Sequence, residues 1–218
     1  MINNMLLNNS SKIHFAFIPD GGRRWAEQKG CSNYDSYQLS MKKLLSFIQY
    51  LFETDVDIIS VYFSSIYNFK RTNDEINCFC KVQSKFIDND LATYVKNKSI
   101  NVKVFGNINQ IPNYLFESVK NIEKTTKNYS EKQVYLYINY SSLEEISKCK
   151  LESIGNSLAE PVNVLIRSGG ANVLSDFLLL QNAFSRIYFL KKLFNDIELD
   201  DIMNIYQEYK SLMLKYGE

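Results

Sequence analysis

Ile18-Pro19-Asp20-Gly21-Gly22-Arg23-Arg24-Trp25 decides how the rest of the chain is read. It follows an apolar run, Ile13-His14-Phe15-Ala16-Phe17, that reads as a buried strand, and precedes Ala26-Glu27-Gln28-Lys29, which reads as the start of a helix. A carboxylate, two flexible glycines and two arginines therefore sit where a strand gives way to a helix. In an α/β protein that junction is where phosphate binds, because N–H groups left unpaired at the helix start point outward. Glycine lets backbone approach a ligand closely, and arginine offers paired donors to phosphate oxygens. Asp20 does not suit a bare anion: a carboxylate beside a phosphate repels it unless a cation lies between them. The loop thus reads as a cradle for a Mg²⁺-diphosphate, with Asp20 as the metal ligand.

Strand-like runs recur at Ile13–Ile18, Asp57–Phe63, Ile100–Phe105, Gln133–Asn139 and Val162–Ile166, with a short sixth near Ile187–Phe189. Helical stretches separate most of them. Tyr34–Glu53 places Tyr37, Met41, Leu44, Leu45, Ile48, Leu51 and Phe52 near one face, Asn73–Lys98 is long and mixed, and Gln110–Lys127 and Ile197–Leu214 are amphipathic. The alternation predicts an α/β fold: a single domain over 12–218, with a mainly parallel six-stranded sheet flanked by helices and a frayed tail at 1–11. No repeat, Pro/Gly linker or low-complexity segment divides the chain. Its 8 glycines include only two adjacent pairs, Gly21-Gly22 and Gly169-Gly170.

The second pair lies in Leu165-Ile166-Arg167-Ser168-Gly169-Gly170-Ala171-Asn172-Val173-Leu174-Ser175, again a strand ending in a glycine loop that bears an arginine. A third segment, Tyr62-Phe63-Ser64-Ser65-Ile66-Tyr67-Asn68-Phe69-Lys70-Arg71, also follows a strand and ends on a basic residue. In a parallel sheet all three loops lie at the carboxyl edge, where ligands bind. One arginine beside a turn is ordinarily just solvated; three such loops together are enough for two diphosphate groups.

Composition removes other classes. The 218 residues carry a net charge of only +1, so there is no nucleic-acid footprint, and no apolar run approaches the ~20 residues of a membrane span. The start of the chain has no signal-peptide architecture, and the expected location is cytoplasmic. Cys31, Cys78, Cys80 and Cys149 are spread without zinc-site spacing and read as free thiols. His14 is the sole histidine and lies inside a strand pattern, so a Ser-His-Asp or Cys-His mechanism is excluded in practice. The 15 Tyr and 14 Phe suit an apolar pocket and core packing equally. Phe47, Tyr50, Phe52, Phe86 and Tyr94 are the bulky candidates for walls of a short pocket, with core packing the equal alternative.

These segments resemble the cis-prenyltransferases, the family of undecaprenyl diphosphate synthase. The Asp20 loop is similar to that family's Asp-Gly-Asn-Gly-Arg-Trp, and Phe63–Arg71 to its Phe-Ser-Ser-Glu-Asn-Trp-x-Arg with one residue inserted. Arg167–Phe177 resembles its Arg-Thr-Gly-Gly-Glu-x-Arg-x-Ser-x-Phe, and Lys103-Val104-Phe105-Gly106 with Ile111-Pro112 fits its middle. The likeness covers nearly the whole chain, from Ile13 to Gly217. It implies the cis-prenyltransferase fold, isoprenyl diphosphate substrates, Mg²⁺ and a homodimer. Carried onto matching positions, it implies that Asp20 assists ionisation through the metal, with Asn68 as a second catalytic residue. Substrate binding falls to Gly21, Gly22, Arg23, Arg24, Trp25, Tyr37, Ser65, Arg71, Arg167, Gly169, Gly170, Ser175 and Arg186.

The departures are informative. Gly22 stands where the usual enzymes have Asn, Arg23 where they have Gly, Asn33 where they have Arg, and Tyr37 where they have a diphosphate-binding His. Tyr67 replaces a Glu when Ile66 is taken as the insertion, and Ala171 and Val173 replace a Glu and an Arg. Arg186 falls where the family carries a Glu that ligates Mg²⁺, often across the dimer. Pro-Asp-Gly-x-Arg-Arg-Trp, Tyr37 and Ala171 are similar to the cyclolavandulyl and lavandulyl diphosphate synthase branch. That branch couples two dimethylallyl diphosphates head-to-middle to branched or cyclised products; Val173 and Arg186 depart from it too. Three alternatives stay open: a linear short-chain cis-prenyltransferase, a terpene-synthase-like diphosphate lyase, and a non-catalytic subunit of a heteromeric enzyme. Arg186 either binds diphosphate directly or marks a lost metal site. Aromatic faces at Tyr37, Phe63, Tyr67 and Phe69 are the candidates to stabilise an allylic cation, and a diphosphate oxygen is the candidate base.

Overall fold

The computed structural model describes residues 12–148 and 160–216; the tail 1–11 and Cys149 lie outside them. Strands β1 (Ile13–Ile18), β2 (Val56–Tyr62), β3 (Ile100–Phe105), β4 (Lys132–Tyr137), β5 (Val164–Arg167) and β6 (Arg186–Phe189) form one sheet, ordered β3-β4-β2-β1-β5-β6. Every pairing is parallel. The single six-stranded parallel sheet expected from the sequence is therefore present. All six residues of β1 are buried, as a central parallel strand covered on both faces requires.

Strand polarity sends alternate residues to two cores. Phe15, Phe17, Ile59 and Val61 join the larger one, with Leu44, Phe47, Ile48 and Leu51 of helix α2 (Asn33–Phe52). Ala16, Ile18, Ile58, Tyr62, Tyr135 and Tyr137 face the other, where Tyr62 stacks on Phe177 at 4.4 Å between centroids. Helix α1 is Gly22–Lys29. It begins four residues before the expected Ala26, because the Trp25 N–H already bonds the Gly21 carbonyl at 2.9 Å.

The expected Asn73–Lys98 stretch is a continuous helical run: α3 (Asn73–Lys85), a π-helical turn at Phe86–Leu91, and α4 (Ala92–Asn97). Helix α5 is Asn113–Thr126, and α6, Ser142–Lys148, is a short helix without enough periodicity to be read from sequence. Helix α7 (Leu199–Tyr216) buries Ile202, Ile205, Tyr206 and Tyr209 in this chain's own larger core. Phe47, Phe52 and Phe86 are likewise core, with Tyr50 and Tyr94 packed against it; none lines the cavity described below.

The order of strands fixes where a ligand fits. From β1 the chain turns to β2 on one side, while from β5 it turns to β6 on the other. The loops leaving β1 and β5 diverge, which opens a crevice at the carboxyl ends of these two neighbours. Asp20 and Arg167 stand on its two lips.

His14 is buried beneath the sheet and away from that crevice. Its Nδ1 faces the carbonyls of Glu160 and Pro161 at 3.0 and 3.1 Å, so it carries the proton, and Nε2 accepts from Ser60 Oγ at 2.7 Å. Burial lowers its pKa from 6.5 to about 4, against the raising effect of the two carbonyls. The unfolded chain then takes up a proton below pH 6.5 that the folded protein refuses, so stability falls with pH through this window. The shift corresponds to about 3 kcal/mol. Between pH 6.5 and 4 the urea midpoint of the wild type should drop more steeply than that of His14→Gln; parallel profiles would contradict this.

Candidate functional site: a diphosphate-binding crevice

Asp20 is held from several sides. Its N–H donates to Ser168 Oγ at 2.7 Å, and its carbonyl accepts from Ser168 Oγ at 2.8 Å and from the Phe194 N–H at 3.0 Å. Its carboxylate accepts from Arg167 Nη2 at 3.0 Å through Oδ2, with Arg24 Nη2 3.6 Å from Oδ1. Gly21, with φ of 105°, makes the turn into α1; a Cβ there would come within 2.7 Å of Leu193. The N–H groups of Gly22, Arg23 and Arg24 precede the first bond of α1, and such groups are oriented for an anion.

Arg167, the last residue of β5, has a side chain only 6% exposed. Nη1 donates to the Val173 carbonyl at 2.8 Å and to Ser175 Oγ at 2.6 Å, while its Nε–H is buried without a partner. Such an orphaned donor costs about 1–3 kcal/mol. Ser175 adopts a left-handed φ of 52°, and Asp176 and Leu178 do the same, so this loop holds its shape against backbone strain. From β2, Ser64, Ser65, Tyr67, Asn68 and Arg71 complete the crevice. Asn68 Oδ1 accepts from the Ser65 N–H at 2.7 Å and Ser65 Oγ at 3.0 Å, which fixes that loop and leaves the Asn68 amide nitrogen as its donor.

Together these loops line a cavity of about 580 Å³. Four guanidinium groups, those of Arg23, Arg24, Arg71 and Arg167, face one carboxylate, Asp20. The remaining wall is apolar, built from Met41, Phe63, Phe79 and Val82 with Gln83 among them, and it backs onto the buried Leu44, Phe47 and Phe86. Tyr37 packs on the Gly22 backbone: a Cβ at Gly22 would lie 3.2 Å from the ring. The two positions that depart from the usual pattern are therefore in contact with each other. Burial raises the Tyr37 pKa, against the lowering effect of Arg71 and Arg23, so its phenol remains a neutral donor. Arg23 also pairs with Glu75 at 2.8 Å, bridging α1 and α3 at the solvent-facing surface, where water and salt screen the pair.

Four expected binding residues stand elsewhere. Trp25 donates Nε1–H to Asp196 at 2.8 Å and anchors α1 instead of lining the cavity. The N–H groups of Gly169 and Gly170 are spent on the carbonyls of Lys192 (2.8 Å) and Leu190 (2.9 Å). Gly169 serves close approach: at φ 87°, a Cβ would sit 2.6 Å from Arg24 Nη2 and 3.2 Å from Asp20. Arg186 opens β6 opposite Val164, while Arg167 pairs with Phe189, so it lies at the amino end of the strands, about 10 Å from the carboxyl edge. Phe69, an expected cation-facing ring, packs edge-on against Phe79 at 5.5 Å and does not line the cavity. Sequence reasoning missed Ser64, Ser168 and Gln83. Gln83 alone left a signal: a polar residue on the buried face of α3 between Phe79, Cys80, Val82 and Phe86.

Asp20 is the cavity's single carboxylate, and no group of three or more His, Cys, Asp or Glu occurs among the described residues. Mg²⁺ is commonly held by one or two carboxylates plus substrate phosphates and water. The donor set here fits an ion that arrives on a diphosphate, with Asp20 as the protein's contribution.

The fold and these loops recur in known proteins. The family described as "Putative undecaprenyl diphosphate synthase" matches residues 18–217. A tritrans,polycis-undecaprenyl-diphosphate synthase (geranylgeranyl-diphosphate specific) of Picrophilus torridus is 30% identical, over 94% of this chain and 89% of its own. An isoprenyl transferase of Rickettsia typhi is 27% identical, over 94% of this chain and 97% of its own. Among solved structures, lavandulyl diphosphate synthase from Lavandula x intermedia, in complex with dimethylallyl diphosphate, superposes with a TM-score of 0.82 at 21% identity, covering 91% of this chain and 95% of that one. A probable undecaprenyl diphosphate synthase from Campylobacter jejuni gives 0.72 at 23% identity, covering 93% and 96%. The chain belongs to the undecaprenyl diphosphate synthase family, the cis-prenyltransferases. It is an enzyme of the prenyltransferase class, and no helix among its described residues is long and apolar enough to cross a membrane.

Proposed function

We propose that the enzyme couples two short allylic diphosphates, such as dimethylallyl diphosphate, head-to-middle to a branched or cyclised product. The observation that carries this reading is the cavity itself: four guanidinium groups at the rim, and an apolar wall that closes against filled core. A cavity of that size suits diphosphates that carry short prenyl groups. The packing of Tyr37 on Gly22 and the fold likeness to the lavandulyl enzyme agree with it. The relatives named as undecaprenyl synthases favour a second reading, linear short-chain elongation with isopentenyl diphosphate.

In the proposed reaction one diphosphate sits on the N–H groups at the start of α1 with Arg23 and Arg24, and the other on Arg71, Arg167 and Ser175. Mg²⁺ held by Asp20 supplies charge neutralisation of the leaving diphosphate. The C1–O bond breaks with its electron pair moving to the diphosphate oxygen. The double bond of the second substrate then attacks C1, and a diphosphate oxygen takes the proton released. Asn68 and Ser65 shape the loop that holds the acceptor, and Tyr37 donates from its neutral phenol. Incubation with dimethylallyl diphosphate alone should give a ten-carbon diphosphate with one diphosphate released per coupling. Asp20→Ala should abolish turnover in a folded protein. Product only after isopentenyl diphosphate is added would favour the linear reading, and full activity in Asp20→Ala would overturn the site.

The partner proposed for the chain is a second copy. Helix α7 does not supply the surface for it, because its apolar face is spent inside the core. The edge strand β6 instead presents Ile187 and Phe189, next to Leu180 and a Phe184 that is 82% exposed. Sedimentation should give a dimer mass that Phe184→Glu reduces; a monomeric wild type would contradict this.

A further inference from the structure

Ser175 forms the outer end of the arm that Arg167 begins. Its Oγ accepts from Arg167 Nη1 at 2.6 Å, which leaves the hydroxyl hydrogen to donate into the cavity that Ser175 lines. The backbone beneath it is strained: Ser175, Asp176 and Leu178 have left-handed φ values of 52°, 59° and 51°. Residues other than glycine stay in that region only where their surroundings over-determine it. Arg167 supplies one constraint. Tyr62, at the end of β2, supplies another, since its Oη donates to the Ser175 carbonyl at 3.3 Å and its ring stacks on Phe177. The third comes from α6, a helix none of whose residues lines the cavity.

Asp176 meets the start of α6 with both its main chain and its side chain. Its carbonyl accepts from the Ser142 N–H at 3.1 Å, its Oδ1 from the Leu143 N–H at 2.9 Å, and its Oδ2 from the Ser141 hydroxyl. Ser142 Oγ in turn accepts from the Leu179 N–H at 3.0 Å, so the loop is clamped on both sides of Phe177. Ser141 is itself fixed by the helix: its Oγ accepts from the Glu144 N–H at 3.2 Å and its carbonyl from the Glu145 N–H at 3.1 Å. The N–H groups of Ser142 and Leu143, which no residue within α6 can pair, are thus satisfied by the residue next to Ser175. We propose that Asp176 is a positioning residue for diphosphate binding: it anchors the 175–178 loop on α6 and so holds the Ser175 hydroxyl where Arg167 and a bound diphosphate both reach it. Asp176 does not line the cavity, so its effect passes through Ser175. A residue that only capped α6 would have no such dependence on Ser175.

This inference rests on the reading of Arg167 and Ser175 as a diphosphate site, and a double-mutant cycle separates the two. The full chain would be titrated calorimetrically with inorganic diphosphate and Mg²⁺ as wild type, Ser175→Ala, Asp176→Ala and the double variant. Each single change should weaken binding about three- to tenfold, and the double variant should be no more than about twofold weaker than Ser175→Ala alone. Asp176→Asn keeps an oxygen for the Leu143 N–H and offers an N–H to Ser141, and should bind within about twofold of the wild type. Ser141→Ala breaks the same contact from the α6 side. It should weaken binding in the same direction and with the same dependence on Ser175, and it carries the test if Asp176→Ala does not fold. Losses that multiply in the double variant, or a folded Asp176→Ala or Ser141→Ala protein that binds diphosphate as the wild type does, would overturn the proposal. Wild-type affinity in Ser175→Ala would overturn the diphosphate reading of this lip and the proposal with it.

Discussion

The pairing of Arg167 with Asp20 across the ends of β5 and β1 organises the site. The two strands are neighbours, so their last residues meet, and the guanidinium stands 3.0 Å from a carboxylate that would otherwise project unpaired into the crevice. The same guanidinium spans to Ser175 and the Val173 carbonyl, tying the loop after β5 to the loop after β1. Ser168 locks the backbone of Asp20 from the other side. One arginine at a topological switch point thus positions the Asp20 carboxylate and shapes the adjacent loop.

Around that pair the neighbouring elements fit closely: the ring of Tyr37 packs on the Gly22 backbone and keeps a neutral phenol. Arg23 adds a cation at the mouth and reaches α3 through Glu75. Met41, Phe63, Phe79 and Val82 form the apolar part of the same cavity's lining.

Much of this was legible in the sequence. β1 and β3 were read to the residue, and the three arginine-bearing loops do meet at one edge, because apolar runs and glycine turns are local signals that a parallel sheet converts into proximity. The failures were failures of direction. Gly169 and Gly170 were read as substrate-binding residues, but their N–H groups turn to the β6 side, and Gly169 lets Asp20 and Arg24 come close. Arg186 belongs to the right strand at the wrong end.

The central claim is that Asp20 faces the diphosphate through a cation, and titration with inorganic diphosphate tests it most directly. Wild type and Asp20→Asn would each be measured with and without Mg²⁺. Without the metal the Asn variant should bind more tightly, since a repelling carboxylate is gone; with the metal the wild type should bind more tightly. An Asp20→Asn protein weaker under both conditions, or a wild type indifferent to Mg²⁺, would contradict the account.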